Sequence, residues 1–274
     1  MSGFEAAWLD LREAADGRSR GEALARRLGV WLAGRAPHRA ARLLDLGCGT
    51  GASLRYLSPL IGTTPAWTCI DKDAGLLAEL RRRSTGAELD VQRLDLVGDF
   101  DSLAAMPFDA VVCSALLDLV SARWLAALVA LVEQRHAAVL FALSYDGRLE
   151  LGPAAAEDAP VRAAFNDHQG RDKGFGPALG PRASAAVVQS LSQAGYDVWR
   201  FDSPWHLDAR SMQDAALLAP LVDGIAAAAI EQSPADRGRF EAWRALRRTQ
   251  CANGALRVTV GHEDVLGLPP SHAQ

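Results

Sequence analysis

The chain has 274 residues, 49% hydrophobic and 23% charged, with a net charge of −4. This composition is ample for a buried core, and the slightly acidic balance creates no field that would draw nucleic acid or an anionic membrane. Arginine supplies nearly all the positive charge, with Lys72 and Lys173 the two lysines, so Arg81-Arg82-Arg83 reads as a solvated helix end.

In chain order, residues 4–16 set Phe4, Trp8, Leu11 and Ala15 at helical spacing. This opening lacks the apolar run of a signal peptide. A second helix fits residues 19–34, and Gly34 and Pro37 stop it. Residues 41–47 (ARLLDLG) then read as a buried strand, and a helix restarts at 52–58. Further strands are expected at 66–71, 87–96, 108–117 and 136–144, with helices at 74–83 and 121–135 between them. Such alternation predicts a parallel sheet covered on both faces.

Beyond Ser144 the rhythm changes. Residues 154–165 look helical and lead into the polar, glycine-rich passage FNDHQGRDKGFGPALGP (165–181), expected as a loop. A helix follows at 182–194, one strand at 196–204, two helices near 211–230 and 234–250, and a last strand at 254–264. No uninterrupted apolar stretch approaches the ~18 residues of a membrane span. Cys48, Cys69, Cys113 and Cys251 have no metal-binding spacing. They read as reduced thiols of a cytoplasmic protein, and no metal site is expected.

The most informative stretch is LLDLGCGTGAS (43–53). Its glycines let a ligand approach bare backbone at a helix start. Gly47, Gly49 and Ala52 also satisfy G-x-G-x-x-G/A, so a dinucleotide turn is one reading. However, Asp45 lies two residues before Gly47, an awkward neighbour for a pyrophosphate and a good partner for an ammonium. Asp71 ends the second strand, 24 residues past Gly47, where a carboxylate accepts ribose hydroxyls. Asp95 ends the third strand, and Leu94 or Leu96 beside it suits an adenine ring.

LLDLGCGTG, CIDKD, RLDL and FDAVVCSALLD, in that order and spacing, resemble class I S-adenosylmethionine-dependent methyltransferases over roughly residues 41–144. The resemblance implies a Rossmann-like doubly wound α/β fold: a seven-stranded sheet, last strand antiparallel, with N-terminal helices and helical insertions. It implies a helical cap at 1–40 and a methyltransferase domain at 41–274, with insertions near 145–181 and 205–250. S-adenosylmethionine would be the cofactor, with Gly47, Cys48 and Gly49 at its methionine part and Asp45 at its amino group. Asp71, with Lys72 beside it, would take the ribose, while Asp95 and Leu96 would frame the adenine. Ser114 and Ala115 would lie near the transferable methyl, and Arg12 could pair with the methionine carboxylate.

The family's branches that methylate nucleic acids and amines often carry Asn/Asp-Pro-Pro-aromatic after the fourth strand. Here that position reads CSALLDL, which argues against base N-methylation and for a small-molecule acceptor. Asp118 in this stretch reads as a helix cap or a residue at the pocket mouth. In passage 165–181, His168 is the candidate general base, and Asn166, Lys173 and Phe175 are candidate substrate contacts. Two other readings stay open: a non-catalytic cofactor-binding or regulatory protein on this fold, and an NAD(P)-dependent oxidoreductase.

Overall fold

The computed structural model describes residues 6–84 and 89–270. Phe4, His272 and the start of the third strand stretch (Ala87, Glu88) lie outside the described residues. The chain opens with α1 (Ala6–Ser19) and α2 (Glu22–Arg35). The alternating half follows as β1 (Arg42–Leu46), α3 (Ala52–Leu57), β2 (Ala66–Asp71), α4 (Ala74–Arg83), β3 (Leu89–Arg93), α5 (Phe100–Ala105), β4 (Ala110–Ser114), α6 (Ala122–Arg135) and β5 (Ala138–Gly152). The remainder is α7 (Asp158–Gln169), α8 (Ala183–Gln193), β6 (Asp197–Asp202), β7 (Trp205–Asp208), α9 (Met212–Gln232), α10 (Arg237–Ala252) and β8 (Arg257–Leu268).

Side-chain caps open α4, α6 and α9. Asp73 accepts from the Gly75 and Leu76 amides to open α4, and the Ser121 hydroxyl accepts from Trp124 to open α6. The inward faces, Leu76, Leu77 and Leu80 in α4 and Leu125, Leu128 and Val132 in α6, follow the helical repeat.

The sheet order is β3-β2-β1-β4-β5-β8-β6, with β7 also on β8. β1 to β5 run parallel, and β8 is antiparallel to β5, β6 and β7. The expected seven strands are therefore eight. The alternating stretch from 196 breaks at Ser203-Pro204, because the proline has no N–H to offer a ladder. Ser203 instead donates its N–H to the His262 carbonyl and its hydroxyl to Asp264. The two pieces then pair with opposite halves of β8.

Two hydrophobic clusters cover the two faces of the sheet. A third joins α1, α7, α9 and α10 to the far ends of β5 and β8 and to β7. By length and composition α9 could cross a membrane, but it packs here against α7 and α10, with Leu217, Leu218, Val222 and Ala226 buried.

Two sequence expectations shift. β5 continues well past Ser144, bulging where Leu143 adopts a positive φ of 55° and its N–H turns to Asp264. α7 spans 158–169 rather than 154–165. Pro160 is tolerated only in a helix's first turn, which delays the start. Asn166, Asp167 and His168 are thus helical residues, not loop residues.

Candidate active site

The turn after β1 is tied down from β2. The Cys48 amide donates to the Ile70 carbonyl at 2.9 Å, and the Gly49 amide donates to Asp71 Oδ2 at 3.0 Å. The other oxygen of Asp71 accepts from the Asp73 amide at 2.9 Å. Each carboxylate oxygen keeps a lone pair for a further donor. Gly49 has a positive φ of 53°, which favours glycine, and a methyl group placed on it would lie 3.0 Å from Leu9 of α1. Cys48 is buried against the turn with Cys69 beside it, and all four cysteines are free thiols.

Beneath the turn lie buried polar groups short of partners. Asp45 is 1% exposed, and neither of its oxygens has a hydrogen-bond partner. Burial pushes its carboxyl up to about 8, although Arg20 pulls the other way. Arg20 is also buried. It donates through Nη2 to the Ser114 hydroxyl at 2.6 Å and lies 5.0 Å over the Tyr56 ring. Its Nε has no partner, and neither has the buried Thr50 hydroxyl. A cavity of about 170 Å³ opens beside Arg20, lined also by Glu13, Asp16, Gly17, Ala52, Arg55 and Tyr56.

Native proteins pair nearly all buried polar groups. Asp45 and Arg20 each keep an unpartnered polar atom, and Arg20 lines the cavity.

Lys72, Asp95, Leu96, Ser114 and Ala115 lie at or just past the C-terminal ends of β2, β3 and β4. Lys72 is exposed just after Asp71, and its carbonyl accepts from Arg93. Asp95 is exposed at the end of β3, with one oxygen on the Val97 amide. Leu96 is buried beside it, its carbonyl accepting from the Trp124 indole at 2.7 Å. Ser114 ends β4, and Ala115 follows with a positive φ of 51°.

Four other predicted site residues are engaged elsewhere. Arg12 is paired with Asp16 at 2.9 Å and lies 4.9 Å over the Trp205 ring, so the guanidinium at the cavity is Arg20, farther along the chain. Asn166 accepts from the Tyr145 hydroxyl at 2.7 Å and donates to the Gly147 carbonyl at 3.1 Å, pinning α7 to β5. Phe175 packs edge-on to Trp124 at 5.4 Å, filling core. His168 has Lys173 Nζ 3.2 Å from Nδ1 and Glu231 3.4 Å from Nε2. With an ammonium on one ring nitrogen and a carboxylate on the other, no lone pair is free to act as a base. Burial and Lys173 also lower its pKa.

Arg20 was hidden among several arginines of an amphipathic stretch, and only packing distinguishes it. Asp118 does not cap α6, because Ser121 does. Its Oδ1 is sealed away without a partner.

Residues 43–135 match the family model described as a methyltransferase domain. The matched span is a methyltransferase domain and holds the motifs quoted above in register on this sheet.

Among solved structures, a cyclopropane synthase from Mycobacterium tuberculosis is similar at 13% identity, over 89% of this chain and 83% of its own, with a TM-score of 0.45. A sugar N-methyltransferase from Streptoalloteichus is similar at 19% identity, over 73% and 88%, with a TM-score of 0.45. A geranyl diphosphate C-methyltransferase from Streptomyces coelicolor is similar at 12% identity, over 90% and 80%, with a TM-score of 0.44. No curated protein sequence matches the chain.

Proposed function

We propose that this chain is a cytoplasmic enzyme that transfers the methyl group of S-adenosylmethionine to a small-molecule acceptor. One observation carries the reading: Asp45 and Arg20, both buried and short of partners, sit together beneath the glycine turn. In this reading Asp45 accepts from the ammonium of the methionine part and Arg20 donates to its carboxylate. Asp71 accepts from the ribose hydroxyls, and Asp95 and Leu96 frame the adenine. When bound, the cofactor supplies a methyl carbon already activated on a sulfonium. The protein's task is then to hold the acceptor in line, exclude water and receive a proton.

Residues 1–40 serve as a cap on the domain at 41–274. Ion pairs from Asp10 to Arg83, Glu13 to Arg55 and Arg18 to Asp214 support that division by fastening α1 across both halves. The acidic net charge supports a small molecule over nucleic acid. An unpaired buried carboxylate beneath the turn disfavours a dinucleotide pyrophosphate.

Native mass spectrometry of the purified protein tests the cofactor. A species heavier by the mass of S-adenosylmethionine or S-adenosylhomocysteine is expected after addition of either. Retention of NAD(P) with no uptake of these two would overturn the reading.

A further inference from the structure

A second group of unpaired polar atoms lies between α1, β5, β7, β8 and the loop after β4. Asp118 Oδ1 and His262 Nδ1 are both sealed from solvent without a hydrogen-bond partner. His262 is 5% exposed and stands opposite Tyr145 in the β5–β8 ladder. Its ring is 4.9 Å from Trp205 and 6.3 Å from Tyr145, and Tyr145 is 5.6 Å from Phe165. Arg12 lies over Trp205 and faces both His262 and Asp118. Lys173 and the Tyr145 backbone amide also face Asp118.

The glycine-rich passage holds this loop in place. The Gly180 amide donates to the Asp118 carbonyl at 2.9 Å, the Leu179 amide donates to Val120 at 2.8 Å, and Ser121 bridges to Ala178.

Burial pushes the Asp118 carboxyl up to about 6, against its own amide, Arg12, the Tyr145 amide and Lys173. Burial and Arg12 push His262 down to about 3. At neutral pH Asp118 is therefore an anion with a free oxygen, and His262 is an uncharged imidazole. A buried carboxylate oxygen lacking a partner calls for a donor. Arg12 and Lys173 already supply positive charge, so the missing donor is neutral, and the rings around it present flat apolar walls.

Resting on the methyl-transfer reading, we propose that Asp118 receives the acceptor's proton. The acceptor is then an uncharged, ring-bearing molecule that presents an O–H or N–H against Trp205, Tyr145 and His262. As the acceptor heteroatom's lone pair forms the new bond to carbon, its proton passes to Asp118 Oδ1. The electron pair of the broken carbon–sulfur bond stays on sulfur, leaving a neutral thioether. Asp118 fills the role that His168, engaged at both nitrogens, does not.

The test uses phenol as the hydroxyl probe and anisole as the same ring without a donor. Each is titrated by ligand-observed NMR into protein mixed with S-adenosylhomocysteine, from pH 5 to 8. Phenol affinity should fall as pH drops through about 6. Asp118→Asn should bind phenol about tenfold more weakly, as loss of a charge-assisted hydrogen bond implies, with no dependence on pH. Asp118→Glu should keep the pH dependence, which separates proton acceptance from a folding defect. Anisole should bind weakly at every pH.

Equal binding of phenol and anisole, a flat pH profile in the wild type, or no phenol binding would each overturn the proposal. S-adenosylhomocysteine binding, followed by calorimetry on the same samples, stands apart. Its loss would sink the methyltransferase reading, whereas the phenol comparison bears on Asp118 alone.

Discussion

The two ends of the site are held by different means. At the cofactor end, β1, β2 and β4 run parallel, and their C-terminal edges bring Asp45, the glycine turn, Asp71 and Ser114 together. Its polar groups stay partly unpaired, and a cavity opens beside Arg20. At the acceptor end, side chains arrive from α1, α7, β5, β7, β8 and two loops, and most are already bonded to one another. Asn166, Arg12, His168 and Phe175 all have partners. Unpaired atoms, more than residue type, mark where a ligand belongs.

That contrast can be broken by substitution, and the largest effect is expected at Asp45. An aspartate that titrates near 3.9 unfolded and about 8 when folded is neutral in the fold and ionised in the unfolded chain between those values. The unfolded state then binds fewer protons, so this group's destabilising cost is absent below about pH 4 and grows as pH rises towards 8. Asp45→Asn should remove the cost, stabilising the ligand-free protein at pH 8 by on the order of 3 kcal/mol while leaving pH 4 unchanged. Urea melts at the two pH values check this.

Next is Arg20→Ala, expected to weaken S-adenosylhomocysteine binding about a hundredfold, since it removes a buried charge-assisted contact. Arg12→Ala should weaken it far less, and equal losses would erase the distinction drawn between these two arginines. Asp71→Ala should cost about tenfold in calorimetric affinity, because the carboxylate holds the Gly49 amide as well as facing the ribose.

Asn166→Ala should lower stability by about 1–2 kcal/mol, through two lost hydrogen bonds, without changing cofactor affinity. His168→Ala should leave cofactor affinity unchanged. It should also leave phenol binding unchanged, so a large loss there would return the base to α7.

Most of the sheet was legible in the sequence because each strand from β1 to β5 announces itself locally. An apolar run ends in a turn residue, and the next helix follows. The acids at the strand ends were legible in position for the same reason, since strand ends are fixed by that pattern. The eighth strand was not, because nothing before folding shows that Ser203 turns aside to His262 and Asp264. The start of α7 was misread by four residues, and that displacement moved Asn166 and His168 from loop to helix. Arg20 illustrates the remaining gap. Arg12, Arg18 and Arg20 share one amphipathic stretch; Arg12 pairs one turn along with Asp16, and long-range packing alone sends Arg18 to Asp214 and Arg20 beneath the glycine turn.

The central claim is that Asp45 and Arg20 receive a zwitterionic amino-acid group. If so, the ammonium of the ligand must ionise an Asp45 that is protonated in the free protein. Calorimetric titration of S-adenosylhomocysteine at pH 7, in buffers of different ionisation enthalpy, counts the protons moved. The account predicts one-to-one binding with release of about one proton per site, abolished in Asp45→Asn. Binding with no proton release, or no binding at all, would contradict it.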